Sequence, residues 1–202
     1  MTRSLSFGSL IIQFDEHVLE PRPWVVLQSE WARELLSDAP AGPVLELCTG
    51  AGHIGLMALP GNERDLVAVD ADPAACAWAR HNAETNDLAG RVEVRHGRLE
   101  DAVRPDESFV LVLADPPWVP RAEVGNFPED PVLAIDGGTD GLDVARACLD
   151  TAARALVPGG SLLLQLGTDD QAQALADARF VEVGRRRGER GIVVHLRLAG
   201  SD

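Results

Sequence analysis

A carboxylate, two prolines and a tryptophan stand together where an apolar run ends. The run is Phe109–Ala114, and the residues that follow it are Asp115, Pro116, Pro117 and Trp118. Prolines cannot donate to a strand ladder and they fix the backbone, so this corner is rigid. An acceptor group and an aromatic ring held on a rigid corner predict a place where a substrate is gripped and covered.

A glycine loop upstream predicts a nucleotide cofactor. Gly50, Gly52 and Gly55 satisfy the G-x-G-x-x-G pattern, and Asp70 ends the next apolar run. Glycines permit close backbone approach, and a carboxylate at a strand end can hold ribose hydroxyls. The glycine pattern alone fits a nicotinamide dinucleotide equally well. Glu46, just before the loop, would oppose a pyrophosphate but suits the positive charges of S-adenosylmethionine, which we therefore favour.

Short apolar runs alternate with helical patterns over most of the chain, which predicts an α/β fold. The expected form is a doubly wound, mostly parallel sheet of the Rossmann-like type with a C-terminal antiparallel hairpin. We predict one domain over residues 1–202, with 1–40 as an N-terminal cover segment and helix and 41–202 as the cofactor-binding and catalytic core. The predicted strands are 43–48, 66–70, 92–95, 109–114, 161–166, 180–183 and 192–198, and the predicted helices lie at 24–36, 54–58, 73–86, 142–156 and 172–178. Residues 118–141 are expected to form a long loop.

Net charge, apolar runs and cysteine spacing limit the classes of partner and site that the chain can have. The formal net charge of −14 disfavours a nucleic-acid partner unless a basic protein assists. The chain has no apolar run of about 18 residues, so we expect no membrane segment. Three widely spaced cysteines, Cys48, Cys76 and Cys148, match neither a disulfide framework nor a zinc site, and they suggest a reducing cytoplasm. No metal site is expected.

Several motifs resemble those of the class I S-adenosylmethionine-dependent methyltransferases, and in particular the catalytic domain of the HemK/PrmC-type protein-glutamine N5-methyltransferases. The similar segments run over nearly the whole chain: 19–23 (LEPRP), 47–52 (LCTGAG), 80–86 (RHNAETN), 115–118 (DPPW), 135–143 (IDGGTDGLD) and 156–160 (LVPGG). The resemblance implies a seven-stranded sheet whose seventh strand is antiparallel, and S-adenosylmethionine as the cofactor.

The resemblance also implies roles for individual residues. The Asp115 side chain and the Pro116 carbonyl would accept hydrogen bonds from the acceptor N–H groups, Pro117 would keep the corner rigid, and Trp118 would cover the substrate. The expected cofactor contacts are Glu46, Cys48, Thr49, Gly50, Gly52, Asp70, Ala71 and Leu99. Arg22 and Trp24 would contact the substrate beside Asp115 and Trp118, with Arg22 alternatively paired to Asp115 or in a surface ion pair.

Departures from the family pattern leave the acceptor open. The family has asparagine at Asp115 and an acid at Arg98, where the adenine amine is held, and Trp24 replaces an acid. Because an ionised Asp115 only accepts hydrogen bonds, it would face a glutamine carbonyl unfavourably. Either another group donates to that carbonyl, Asp115 is protonated, or the acceptor is an amine.

Only some twenty residues precede Pro21, so we expect no N-terminal helical recognition domain and consider a small activator subunit. The leading hypothesis is methylation of a protein glutamine amide. The alternatives are a small-molecule amine methyltransferase, a non-catalytic cofactor-binding subunit and an NAD-dependent oxidoreductase.

Overall fold

Successive apolar side chains of the strands point to opposite faces of one sheet, and both faces are buried. The computed structural model describes residues 1–200, without the side chain of Ala102. In the central strand, Leu111 and Leu113 join one buried cluster, while Val112 and Ala114 join a second cluster on the opposite face. A strand buried on both faces is typical of a parallel sheet covered by helices on each side.

Nine strands and seven α-helices are present in residues 1–200. The strands are β1 (Arg3–Phe7), β2 (Leu10–Phe14), β3 (Val44–Leu47), β4 (Leu66–Asp70), β5 (Val92–His96), β6 (Phe109–Ala114), β7 (Leu156–Leu166), β8 (Phe180–Arg187) and β9 (Ile192–Leu198). The helices are α1 (Val26–Asp38), α2 (His53–Ala58), α3 (Pro73–Thr85), α4 (Leu99–Ala102), α5 (Val132–Ile135), α6 (Asp143–Ala155) and α7 (Asp169–Ala174).

The sheet topology confirms the predicted fold class. The seven-stranded sheet has the order β5-β4-β3-β6-β7-β9-β8. Pairs among β3 to β7 are parallel, whereas β9 runs antiparallel to both β7 and β8. Because β3 is followed in sequence by β4 on one side and lies next to β6 on the other, the strand order reverses there. Ligands of open α/β sheets bind at the carboxyl ends of the strands next to such a reversal.

The N-terminal segment contains a hairpin, β1–β2, where the sequence predicted no pair of strands. Asn82 in α3 and Asn86, the residue that caps the C-terminus of α3, hold it in place. Asn82 accepts from the Gln13 N–H at 2.8 Å and donates to the Gln13 and Ala51 carbonyls, each at 2.9 Å. Asn86 makes the same paired bonds to the backbone of Ile11, at 3.1 and 2.9 Å. Residues four apart lie on one helix face, so the two amides together act as a partner for β2.

Two predictions about the C-terminal third were wrong in detail. The helix predicted at 172–178 begins earlier, at Asp169, because the Thr168 hydroxyl accepts from the Gln171 N–H at 3.2 Å and caps its first turn. The strand predicted at 180–183 continues to Arg187, because the three arginines 185–187 form ion pairs with nearby acids along it. The turn itself lies at 188–191.

Within residues 1–200 no helix combines the length and apolar character needed to cross a bilayer.

Candidate active site

Two clefts meet at the carboxyl ends of the central strands. One lies over the loop after β3 and the end of β4, and the other lies over the ends of β6 and β7. Their common wall contains Leu19, Arg22, Val25, Asp115 and Ala134. A donor held in one cleft and an acceptor held in the other would therefore meet at this wall.

The first cleft, the cofactor cleft, lies beside the glycine loop. Gly50 has a φ of 53°, and no atom lies within 4 Å of the position where a Cβ would stand, so its open side is available to a ligand. The Gly50 N–H donates to one oxygen of Asp70 at 2.8 Å, and the Asp72 N–H donates to the other at 2.9 Å. These two bonds fix the orientation of the Asp70 carboxylate on the cleft wall. Burial raises the pKa of that carboxyl group.

Six of the eight predicted cofactor residues line this cleft: Cys48, Thr49, Gly50, Asp70, Ala71 and Leu99. Their roles remain predictions, since lining a cleft is not contact with a ligand.

Glu46 and Gly52, the other two, do not line the cleft, and their contact with the cofactor also stays a prediction. Glu46 is buried beneath the loop, where its carboxylate accepts from the Thr49 hydroxyl and, at 2.8 Å, from the Gly55 N–H. A Cβ on Gly55 would stand 2.4 Å from a Glu46 oxygen, so the glycine makes room for the carboxylate. Gly52, at φ 82°, starts α2 and packs against Ala79. Both residues shape the loop from below.

Glu46 also carries an unusual protonation equilibrium. Burial raises its pKa to about 7, although the bonds from Thr49 and Gly55 oppose the shift. Cys48 has its thiol pKa raised by interaction with Cys148 and by burial, so the thiol is protonated at neutral pH. The loop therefore presents few fixed negative charges beyond Asp70.

Sequence reasoning missed several residues of the cofactor cleft: His17, Asp72, Leu133 and Val144 also line it. Val144 lies in α6 and Leu133 in the short α5, within the segment predicted as loop. Asp72 follows the end of β4 and was within reach of sequence reasoning. His17, Leu133 and Val144 come from segments distant in sequence, and their own local patterns do not indicate that they reach the cleft.

His53 is the first residue of α2 and faces the same cleft. Its ring packs edge-on against Phe7, with centroids 4.9 Å apart, and its Nδ1 is buried without a hydrogen-bond partner in residues 1–200. Burial lowers the pKa of the imidazole to about 4, so it is neutral at physiological pH.

The second cleft, the acceptor cleft, lies over the ends of β6 and β7. Three aromatic side chains lie on its wall: Trp24, Trp118 and Phe127. The Trp118 ring packs so closely on Gly167 that a Cβ there would stand 2.5 Å from a ring carbon. The Trp118 carbonyl accepts from Gln171 Nε2 at 2.9 Å, which holds the corner after β6 against α7.

Arg22 pairs with Asp130, which agrees with the ion-pair alternative rather than with pairing to Asp115. Its guanidinium donates to both Asp130 oxygens, at 2.7 and 2.9 Å, and the Asp130 side chain is only 12% exposed. This ion pair joins the proline segment before α1 to the long segment after β6. The Trp24 ring lies between two cations, 6.0 Å from Arg22 and 5.7 Å from Arg190.

Asp115 stands in the wall that separates the clefts. It follows β6 directly, is partly buried, and accepts no hydrogen bond from the described residues. Burial raises the pKa of its carboxyl group to about 7. An unpaired carboxyl group at the junction of two clefts can accept a hydrogen bond from a ligand on either side.

Comparison with known proteins shows the family to which this chain belongs. Residues 29–127 match the methyltransferase small domain. A release factor glutamine methyltransferase of Moorella thermoacetica is 37% identical over 194 residues, which cover 94% of this chain and 68% of the relative. The chain belongs to the family of the release factor glutamine methyltransferases. It is thus a methyltransferase that uses S-adenosylmethionine, and the oxidoreductase alternative is wrong.

Two further relatives of this methyltransferase differ from each other in the acceptor protein that their names give. A release factor glutamine methyltransferase of Deinococcus radiodurans is 35% identical, covering 89% of this chain and 65% of that protein. A ribosomal protein uL3 glutamine methyltransferase of Francisella tularensis is 28% identical, covering 82% and 55%. The chain thus spans roughly half to two thirds of the length of these relatives.

Among solved structures, a methyltransferase of Pyrococcus furiosus superposes on this methyltransferase with a TM-score of 0.69 at 18% identity. The match covers 96% of this chain and 91% of that one. It confirms the Rossmann-like methyltransferase fold that the sequence predicted.

Proposed function

We propose that this methyltransferase transfers the methyl group of S-adenosylmethionine to the side-chain amide nitrogen of a glutamine in a protein. One observation carries the proposal: Asp115 lies in the wall shared by the cofactor cleft and the acceptor cleft. In-line methyl transfer depends chiefly on positioning, and orientation can contribute roughly 7–11 kcal/mol in favourable cases. A fixed acceptor group between two clefts supplies such positioning.

The cofactor cleft fits S-adenosylmethionine. The oriented Asp70 carboxylate is placed to accept from ribose hydroxyls, and the open side of Gly50 allows close approach to the backbone. Leu99 and Val144 offer an apolar surface for the adenine ring. When bound, S-adenosylmethionine supplies an electrophilic methyl group on its sulfonium.

Asp115, Pro116, Pro117 and Trp118 keep their predicted roles in this proposal, which adds proton uptake by Asp115 and a loop-bridging role for Arg22. The Asp115 carboxylate accepts a hydrogen bond from the acceptor nitrogen, turns its lone pair toward the cofactor cleft, and takes up the proton that the nitrogen loses. The Pro116 carbonyl is the second acceptor, Pro117 keeps the corner rigid, and Trp118 with Trp24 covers the flat amide. Arg22 holds the two loops of the acceptor cleft together through Asp130.

The names of the relatives support glutamine and a protein substrate. Relatives named for a release factor and for ribosomal protein uL3 share the word glutamine in their printed names and differ in the protein named. The amide is thus the constant element, and which protein presents it is the variable one. Whether a small activator subunit is needed remains a prediction, which turnover by the chain purified alone would refute.

The acidic lining of the acceptor cleft favours a second candidate, an amine acceptor. Besides Asp115, the side chains of Glu129, Asp130 and Glu189 line the cleft. A protonated amine would bind well among these groups but must lose its proton before it can attack. The amide proposal avoids that cost, since an amide nitrogen is neutral.

Transfer of labelled methyl into a lysate of the source organism tests the proposal. The label is separated into precipitable protein, nuclease-released and small-molecule fractions, with Asp115→Ala as control. Label in protein that disappears with Asp115→Ala supports the proposal. Label in the small-molecule fraction contradicts it and supports the amine acceptor. Binding of S-adenosylhomocysteine by Asp115→Ala within a few-fold of wild type shows that the control is folded.

A further inference from the structure

A glutamine amide needs a hydrogen-bond donor that Asp115 cannot supply. The acceptor nitrogen presents N–H groups, which suit an ionised carboxylate, but the amide oxygen requires a donor. Leaving that oxygen against a carboxylate in a desolvated site costs on the order of 1–3 kcal/mol. The acceptor cleft therefore ought to contain a donor close to Asp115 if the proposed function holds.

Gln165 is the buried amide on the same wall. It lies near the end of β7, is 3% exposed, and lines the acceptor cleft. Ala114 and Leu164 are register partners in the parallel pair β6–β7, so Asp115 and Gln165 are the next residues along the two chains. Neighbouring strands lie about 4.8 Å apart and side chains alternate between faces, so these two leave the sheet side by side.

The amide of Gln165 is scarcely engaged within the protein. Its one hydrogen bond among the described residues runs from Nε2 to the Leu166 carbonyl at 3.5 Å, a long contact. Gly191, in the hairpin turn after β8, gives it room: a Cβ there would stand 2.4 Å from Nε2. A buried amide with spare donors in a substrate cleft points to a ligand as its partner.

We propose that Gln165 binds the acceptor by donating from Nε2 to the carbonyl oxygen of the substrate amide, while Asp115 accepts from its nitrogen. The pair then matches both ends of a primary amide, whereas an ionised Asp115 alone has no donor for the carbonyl oxygen. This inference rests on the proposed function, because an amine acceptor has no carbonyl for Gln165 to hold.

The side-chain cations of the cleft are less suited than Gln165 to donate a hydrogen bond to the substrate carbonyl. The Arg22 guanidinium already donates to both oxygens of Asp130, and Arg190 is exposed at the rim above the Trp24 ring. The indole N–H of Trp118 is the other candidate donor close to Asp115. The variant Trp118→Phe removes this N–H and keeps an aromatic ring.

The test exchanges donor and acceptor between the two positions. Gln165→Glu, Asp115→Asn and the double variant are compared with wild type, and Gln173→Glu on the exposed face of α7 controls for added charge. The acceptor is the protein fraction of a lysate from cells that lack this gene, incubated with methyl-labelled S-adenosylmethionine. Acid hydrolysis of labelled protein releases labelled methylamine only if the methyl group was on an amide nitrogen.

We expect Gln165→Glu to lower the initial rate by about 5- to 150-fold, because two carboxylates then face the substrate carbonyl. The double variant should recover to within about fivefold of wild type, since asparagine at 115 can donate to the carbonyl and glutamate at 165 can accept from the nitrogen. Affinity for S-adenosylhomocysteine should stay within a few-fold in all variants, as should the rate of Gln173→Glu.

Two results would overturn the assignment: an unchanged rate in Gln165→Glu, or a double variant no faster than Gln165→Glu while Asp115→Asn alone is active. A large loss in Trp118→Phe with none in Gln165→Glu would assign the donor to the indole. If wild-type enzyme labels protein without releasing methylamine, the proposed amide acceptor itself is wrong, whatever the variants do.

Discussion

The pH dependence of turnover should follow the Asp115 carboxyl group. Burial raises its pKa to about 7, and the proposed chemistry uses the ionised form because only that form both accepts the N–H and takes up a proton. The ionised fraction is about 0.1 at pH 6 and about 0.9 at pH 8, so kcat should rise roughly tenfold between these values. Asp115→Asn should remove this dependence, since asparagine does not titrate.

Other charged groups near Asp115 have to be separated from it. Those that line the two clefts, together with Glu46 below the loop, are Glu20, Arg22, Glu46, Asp70, Asp72, Glu129, Asp130, Glu189 and Arg190, and the histidines His17 and His53. Glu46 matters most, because burial raises its pKa to about 7 as well. It lies beneath the cofactor loop, so its titration should appear in the affinity for S-adenosylhomocysteine, whereas that of Asp115 should appear in kcat.

The assay is therefore a pair of profiles from pH 5.5 to 9, one for kcat with saturating cofactor and one for S-adenosylhomocysteine affinity by calorimetry. A kcat that falls as the pH rises through 7 would refute the reasoning, because the protonated carboxyl would then be the active form. A rise of the same size in Asp115→Asn would assign the titration to another group.

Three further predictions concern the supports of the site. Asn82→Ala removes two hydrogen bonds from α3 to Gln13 and one to the Ala51 carbonyl in the glycine loop, and should lower the free energy of unfolding by about 2–4 kcal/mol in urea titrations, whereas the exposed Asn126→Ala should change it by less than about 0.5 kcal/mol. Gly55→Ala forces a methyl group against the buried carboxylate below the loop and should cost about 1–3 kcal/mol, while Gly90→Ala, where no atom lies within 4 Å, should be near neutral; equal losses would contradict this account. Asp130→Asn weakens the ion pair across the acceptor cleft, so the KM for the protein acceptor should rise several-fold with the cofactor affinity unchanged, and a change confined to cofactor affinity would count against it.

Much of the cofactor cleft could be predicted because it is local in sequence. The residues from Cys48 to Gly50 follow one strand and Asp70 ends the next, and parallel strands bring their carboxyl ends to one edge. The corner at Asp115 was visible for the same reason. The sequence could not show how deeply each residue is buried. The motif suggests that Glu46 contacts the cofactor, yet its side chain lies beneath the glycine loop.

The rest depended on contacts between distant segments. Asn82 holds the N-terminal hairpin through backbone hydrogen bonds, which leave no hydrophobic period in the sequence. Gln165 reads as one of the last residues of an apolar strand, and only the register with β6 sets it beside Asp115. The turn between β8 and β9 lies at the acceptor cleft because β9 pairs between β7 and β8 in the sheet. This spatial order cannot be read from the order of the strands along the chain.

The central claim, methylation of a glutamine amide in a protein, is tested most directly by peptide mass spectrometry of the source organism's proteome. Cells with the wild-type gene, cells without it, and cells carrying Asp115→Ala are compared. We predict at least one peptide whose glutamine carries one added methyl group in the first strain and none in the other two. An added methyl group on a lysine or an N-terminal amine with the same gene dependence, or no gene-dependent methylation of any peptide, would contradict the claim.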